Sequence, residues 1–174
     1  MAVIAAASWK VDTDDQLCAR FRARERGALE ELFRRHRLRA YRVAFRLLGR
    51  EKEALEAVRE GFIKVMRELD ACGQGCFKAR LLRYVSDAAV EHRRRRRIAC
   101  LANTSIEEPL EPNPRRFLEE ALASLPDALC RTFILHADGR LTYCELAEAM
   151  EIPRDAVMSR LSEARHELRA YLAQ

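Results

Sequence analysis

The chain has 174 residues, with 32 Lys and Arg against 27 Asp and Glu and a hydrophobic share of 49%. These totals allow one domain or two small ones with a core in each, and the net charge of +5 points to an acidic partner such as nucleic acid. They argue against a secreted or membrane-inserted protein, because "MAVIAAAS" is too short and unflanked for a signal peptide and no later run is apolar enough to cross a bilayer. A cytoplasmic protein with reduced cysteines is the expectation.

The charge is unevenly spread. From Arg115 to Gln174 there are eight Arg, no Lys and ten acidic side chains, a net −2, so the first 114 residues carry +7. Helical periodicity dominates and no alternating strand pattern stands out, which predicts an all-α fold. A short helix is expected over Asp12–Arg24. A long one over Arg26–Leu48 places Leu29, Leu32, Phe33, Tyr41, Ala44, Phe45 and Leu48 at spacings of three and four, and Gly49 is suited to stop it. A second, over Glu51–Leu69, repeats the pattern through Leu55, Val58, Phe62, Val65 and Met66, with Glu51 and Glu53 at its dipole-positive start.

"DACGQGC" interrupts, and a third long helix starts near Cys76 and runs through Phe77, Leu81, Tyr84 and Val85 into "EHRRRRR". From Phe77 to Arg97 eight basic side chains stand against two acidic ones, enough to neutralise several phosphates. "ANTSIEEPLEPNP", Ala102 to Pro114, holds three Pro and no periodicity and reads as a linker. Helices are then expected at about Arg115–Ser124, Pro126–Ala137, Thr142–Met150 and Pro153–Ala173, with Pro126 and Pro153 in first-turn positions. The last helix has an apolar stripe of Val157, Leu161, Ala164, Leu168 and Tyr171, and turns Asp155, Met158, Ser159, Ser162, Glu163 and His166 outward. The division is therefore two small helical domains, 13–97 and 115–174, joined by a flexible linker, 98–114.

No glycine-rich phosphate loop, metal-protease pair or Ser, His and acid arrangement occurs, so no catalytic residue, metal site or cofactor is expected. His36, His92, His136 and His166 are scattered and read as exposed or half-buried helix residues; Cys18, Cys130 and Cys144 read as small buried hydrophobes. Cys72 and Cys76 in "CGQGC" supply only two ligands. They are either incidental to a flexible Gly turn or a thiol switch whose disulfide would constrict the loop.

Taken together, "ALEELFRRHRLRAYRVAFRLLG", "EALEAVREGFIKVMRELD", "FKARLLRYVSDAAVEHRRRRR" and "LEEALASLPDALCRTFILHADGRLTYCELAEAMEIPRDAVMSRLSEARHELRAYL" resemble the extracytoplasmic-function sigma factors of bacterial RNA polymerase, over about residues 13 to 173. The resemblance implies region 2 and region 4 domains, with a helix-turn-helix in the second. The first would bind core RNA polymerase and open the −10 promoter element; the second would read the −35 element. By position, Glu53, Ala54, Glu56 and Arg59 would face polymerase. Lys78, Arg80, Arg83, Tyr84, Asp87, Arg93 and Arg94 would meet −10 DNA, with the loop Asp70–Cys76 receiving a flipped base. Arg154, Ser159, Arg160, Ser162 and Arg165 would meet −35 DNA, the arginines at phosphates and the serines near base edges.

An anti-sigma factor is a further implied partner. The chain leaves the family pattern where Arg80 stands for Trp, Asp87 for Asn, Glu151 for the Gly of the helix-turn-helix corner, and Cys130 and Met158 for Arg. Those departures leave open a second reading, a sigma-derived adaptor that binds polymerase or protein partners without initiating transcription. An independent helix-turn-helix repressor is disfavoured by the −2 charge of the second lobe.

Overall fold

The computed structural model describes residues 12–71, 76–102 and 114–173. Every regular element among them is helical: α1 Asp14–Arg22, α2 Ala28–Leu48, α3 Glu51–Ala71, α4 Phe77–Ala102, α5 Pro114–Ser124, α6 Asp127–Ala137, α7 Tyr143–Met150 and α8 Arg154–Leu172. The all-α reading and the order of helices follow the periodicity. Helix α4 runs five residues past Arg97 into the stretch expected to be linker. Pro126 and Pro153 stand one residue before their helices rather than inside the first turn. The thiol pair falls partly outside the described residues, which omit Cys72.

Local chemistry sets the helix ends. Thr13 caps α1 and Thr142 caps α7, each through a capping box in which the hydroxyl accepts from the amide three residues on while that residue's side chain accepts from the Thr amide. Gly49 ends α2 in the left-handed conformation, with φ 68°. Helix α7 ends in a Schellman motif: the Ile152 amide donates to the Ala147 carbonyl at 3.2 Å and Glu151 takes the left-handed position, φ 53°. A non-glycine side chain there costs about 1 kcal/mol.

Helices α2, α3 and α4 pack into the first lobe with α1 across them, and α6, α7 and α8 form the second with α5 against α8. Leu32, Val43, Leu69, Phe77, Leu81 and Val85 are sealed in the first core; Ile134, Leu135, Leu146, Val157 and Leu161 in the second. The apolar stripes of α2 and α3 are wider than their neighbours cover. Phe33, Phe45 and Leu55, expected in the core, are exposed.

Two side chains read as ordinary helix-surface or core residues lie elsewhere. Cys144 is exposed, not buried: it lies in the first turn of α7, whose buried face is Leu146 and Ala149. His36 is buried: its Nε2 lies 2.7 Å from Asp14 and its ring packs 5.3 Å from Phe77. Arg35 joins this cluster, donating to the Asp12 carbonyl at 2.6 Å and to Glu31 at 2.7 Å, while Arg34 grips the same Glu31 through two bonds of 2.7 Å.

The hydrogen bonds from Arg34, and behind them Arg35, outweigh burial and hold the Glu31 carboxyl down at about 2. Asp14 is lowered as well, first by the hydrogen bond with His36 and against its own burial. Both folded values lie below the unfolded ones, so this stabilisation is complete above the ordinary carboxyl range and is lost as pH falls from about 4.5 toward 2. The urea midpoint of the chain should therefore drop steeply through that window, and less steeply in Glu31→Gln; parallel pH profiles for the two proteins would contradict it.

Candidate functional site

The basic helix α4 and the helix-turn-helix of α7 and α8 are the surfaces on which the sequence concentrates charge. They do not stand apart. Helix α4 packs against α7 and touches α6, and α2 also reaches α6, so the two lobes meet along α4 from Lys78 to Arg93.

The contact is electrostatic at its edges and apolar in the middle. Lys78 Nζ lies 2.6 Å from the Glu145 carboxylate, and the Cys76 amide donates to Glu148 at 3.0 Å. Arg83 donates to Glu151, and Arg93 to Asp127. Arg131 of the second lobe reverses the polarity, donating to Asp87 at 2.6 Å and to the Ser86 hydroxyl at 2.9 Å. Arg46 on α2 meets Asp138 at 3.4 Å. Beneath these pairs Leu82 is 1% exposed and lies under the α6–α7 turn, where a Cβ at Gly139 would come within 3.1 Å of it.

Glu145 serves two purposes with its two oxygens. One accepts the Thr142 amide at 2.8 Å to close the capping box; the other faces Lys78. Burial alone would raise its carboxyl, but Lys78 and the Thr142 amide more than compensate and hold it below the usual range. Glu151 is lowered by Arg83, and the Arg83 guanidinium is raised in turn. Burial pushes the Arg131 guanidinium down while Asp87 opposes the shift. A partly exposed pair of this kind contributes at most about 1 kcal/mol. The closed arrangement therefore rests on the set of pairs plus the seam at Leu82, and no single pair decides it.

The side chains singled out from the sequence separate into three groups. Lys78, Arg83, Asp87 and Arg93 are all engaged by the second lobe. Arg80 is half-buried, and Tyr84 is 7% exposed with its hydroxyl donating to Glu68; burial, then Glu68, pushes that phenol up to about 12. Arg94 remains on the surface, 4.0 Å from Glu91.

Glu53 is turned inward to Arg96 at 3.0 Å, where Arg96 also donates to the Leu48 carbonyl, whereas Glu56 and Arg59 are exposed on α3. On α8, Arg154, Met158, Ser159, Ser162, Glu163 and Arg165 are exposed and Arg160 is half-buried beside Arg131, while Val157, Leu161, Ala164 and Leu168 are buried as the stripe requires. The Cys76 thiol lies 3.4 Å from Glu145 and is pushed up chiefly by burial, a poor setting for a reactive thiolate. Among the described residues no group of three or more His, Cys, Asp or Glu side chains is placed to hold a metal ion. Among those same residues no helix is long and apolar enough to cross a membrane.

Sequence reading did not single out Asp127, Arg131, Asp138, Glu145 or Glu148. The signal that pointed to them was the opposite charge of the two halves, which is a statement about attraction and not about residues.

Comparison with known proteins shows what this arrangement is similar to. A profile of sigma-70 region 2 matches residues 32–98, the span of α2 to α4. The ECF RNA polymerase sigma factor SigE of Mycolicibacterium smegmatis is 32% identical over 158 residues, covering 83% of this chain and 62% of SigE, so the chain spans rather less than two thirds of that relative. The fold is shared with CnrH, solved in complex with the cytosolic domain of CnrY, at a TM-score of 0.77 and 23% identity over 93% of this chain and 98% of CnrH. It is shared also with RpoE of Bartonella quintana, solved with the anti-sigma factor NepR, at a TM-score of 0.64 and 19% identity over 83% of this chain and 98% of RpoE. A sigma-70 region 2 match over α2 to α4, followed by a helix-turn-helix lobe, together with this likeness to SigE makes the chain similar to the extracytoplasmic-function sigma factors.

Proposed function

We propose that the chain binds core RNA polymerase and directs initiation at specific promoters, as a cytoplasmic, non-enzymatic subunit. The observation that carries this reading is the pairing, in one chain, of the basic α4 within the region 2 match and an exposed helix-turn-helix face on α8. The region 2 lobe, 13–97, would meet polymerase through Glu56, Arg59 and the neighbouring exposed Leu55 on α3, with Glu53 instead fixing the end of α4. Lys78, Arg80, Arg83 and Arg93 would hold −10 phosphates, and Tyr84 would shape the helix rather than stack on a base. The region 4 lobe, 115–174, would grip −35 phosphates through Arg154, Arg160 and Arg165 with Ser159 and Ser162 between them. The likeness to RpoE, solved with an anti-sigma factor, supports a protein antagonist of the same kind.

Run-off transcription with core polymerase and a library of genomic fragments tests the reading. Discrete transcripts dependent on the added chain are expected; tight binding to core without any transcript would replace an initiation factor by an adaptor. On a promoter found in this way, Arg160→Ala should weaken −35 binding severalfold, the scale of one lost phosphate contact. Unchanged affinity would remove α8 from the groove.

A further inference from the structure

We propose that Asp155 and Met158 are the base readers of the second lobe. Met158 packs on the C5 methyl group of a thymine, and Asp155 accepts a hydrogen bond from the N4 amino group of a cytosine on a neighbouring base pair. The proposal rests on the reading of α8 as the helix that enters the major groove and adds to it the bases that are read.

Both side chains are presented and unused. Asp155 stands in the first turn of α8, behind the N-cap Pro153, where no side chain caps the helix. It is exposed, and among the described residues nothing is paired with its carboxylate. Met158 is 50% exposed, and the other exposed large apolar side chain described in this lobe, Leu172, lies at the far end of the same helix. Val157 and Leu161 are sealed against the lobe, so the rotation of α8 is fixed with this face outward. At 3.6 residues per turn Asp155 and Met158 stand about 60° apart, with Ser162 between them one turn on. Arg154 and Arg165 flank the Met158 edge and Arg160 the opposite one, so both walls of a groove would meet a cation.

The chemistry of the base edges selects the partners. An ionised carboxylate accepts hydrogen bonds and donates none, so in the groove it needs an amino group. Adenine sets its amino group beside the N7 acceptor, which repels a carboxylate; guanine and thymine offer acceptors alone; cytosine offers its N4 amino group and no acceptor of its own. A thioether donates nothing either, and the apolar group on a base edge in the major groove is the thymine methyl. The unbranched, polarizable Met side chain can close on it. Residues three apart rise about 4.5 Å along a helix and successive bases about 3.4 Å along a DNA strand, so the two side chains reach neighbouring base pairs. An acid and a thioether, out of place on a face that only attracts phosphate, both gain a use.

The test selects duplexes with a randomised central segment on the full chain, once alone at low salt and once bound to core polymerase. A thymine and a cytosine enriched at neighbouring positions are expected. In the enriched duplex that thymine is then replaced by deoxyuridine, which deletes only the methyl group. The parent chain should bind the uracil duplex about fourfold more weakly, the scale of one buried methyl group. Met158→Ala should lose about as much on the thymine duplex and nothing further on the uracil duplex. Met158→Arg should turn the preference at that position from thymine to guanine. Asp155→Ala should bind cytosine and thymine equally at its own position, and Leu172→Ala should keep every preference of the parent.

All of these positions are exposed, so the variants should fold, which thermal melting by circular dichroism verifies. A Met158→Ala chain that still loses fourfold on uracil would overturn the thymine contact, and an Asp155→Ala chain that still prefers cytosine would overturn the other. A library without any enriched base would overturn both. Transcripts in the run-off assay that depend on neither side chain would leave the initiation reading standing and remove this one. Enrichment of the thymine and cytosine by the chain alone, without any transcript, would do the reverse.

Discussion

Phe77→Ala should be among the most damaging single substitutions in the first lobe, costing about 3–5 kcal/mol. Phe77 is 1% exposed, opens α4, and packs against the buried His36 ring that Asp14 holds from α1. Truncation would remove a large apolar side chain and leave a cavity beside a polar pair that needs a closed wall. Set against a total stability of about 5–15 kcal/mol for a small domain, the loss takes a large share. Phe33→Ala provides the comparison: that ring is 44% exposed and meets Phe62 in a tilted pair with ring centres 4.8 Å apart, so its loss should cost about 1 kcal/mol. Urea denaturation of both variants checks the ranking, and equal costs would mean that α4 is not anchored through Phe77.

The position of Phe77 also links stability to the site. The Cys76 amide and Lys78 flank it, and both contact acidic side chains of α7. A first lobe loosened at the start of α4 would lose that end of the interface before the Arg93 end. Amide exchange should therefore rise first around residues 76–83 in Phe77→Ala.

The helices were legible in the sequence because their signal is local. Leu29 and Leu32 on α2, Phe62 and Val65 on α3, and Val157 and Leu161 on α8 stand at spacings of three or four that a helix brings onto one face. Caps were legible in principle as well: Thr142 and Glu145 stand three residues apart before an apolar run, the pattern of a capping box. Burial of His36 was not, since it depends on Asp14 arriving from another helix. The same holds for the lobe contact. Lys78 and Glu145 are far apart in the chain, and nothing local distinguishes a Lys that awaits phosphate from one that already meets a carboxylate.

The α4 side chains expected to meet phosphate, Lys78, Arg83 and Arg93, are seen paired with carboxylates of the second lobe. The unusual residues were the better guide. Asp87 and Glu151 are difficult to explain on a surface that only binds DNA, because each adds negative charge or strain there. Once Arg131 and Arg83 are seen opposite them, both have a use.

Gly61→Ala should destabilise the first lobe by about 2–3 kcal/mol, the upper part of the range for overpacking. Gly61 sits in mid-α3, where an alanine is ordinarily worth up to about 1 kcal/mol over glycine. The crossing with α4 decides the sign. A Cβ there would lie 2.5 Å from Val85 Cγ2 and 2.9 Å from the Val85 backbone nitrogen. The methyl group of Val85 could turn aside, but its backbone belongs to a helix bonded along its length, so α3 and α4 must separate.

Gly49→Ala separates this mechanism from simple loss of glycine. Gly49 has φ 68°, and a methyl group added there would meet no atom within 4 Å, so its cost is conformational alone, about 1 kcal/mol. For a lobe of this size each kcal/mol moves the melting temperature by about 4–8 °C. Gly61→Ala should thus melt at least about 8 °C below the parent and well below Gly49→Ala. A melting point within a degree of the parent would mean that α3 and α4 cross less closely than 2.9 Å allows. The consequence extends to the interface, because Val85 lies between Arg83 and Asp87, and a displaced α4 would carry both away from Glu151 and Arg131.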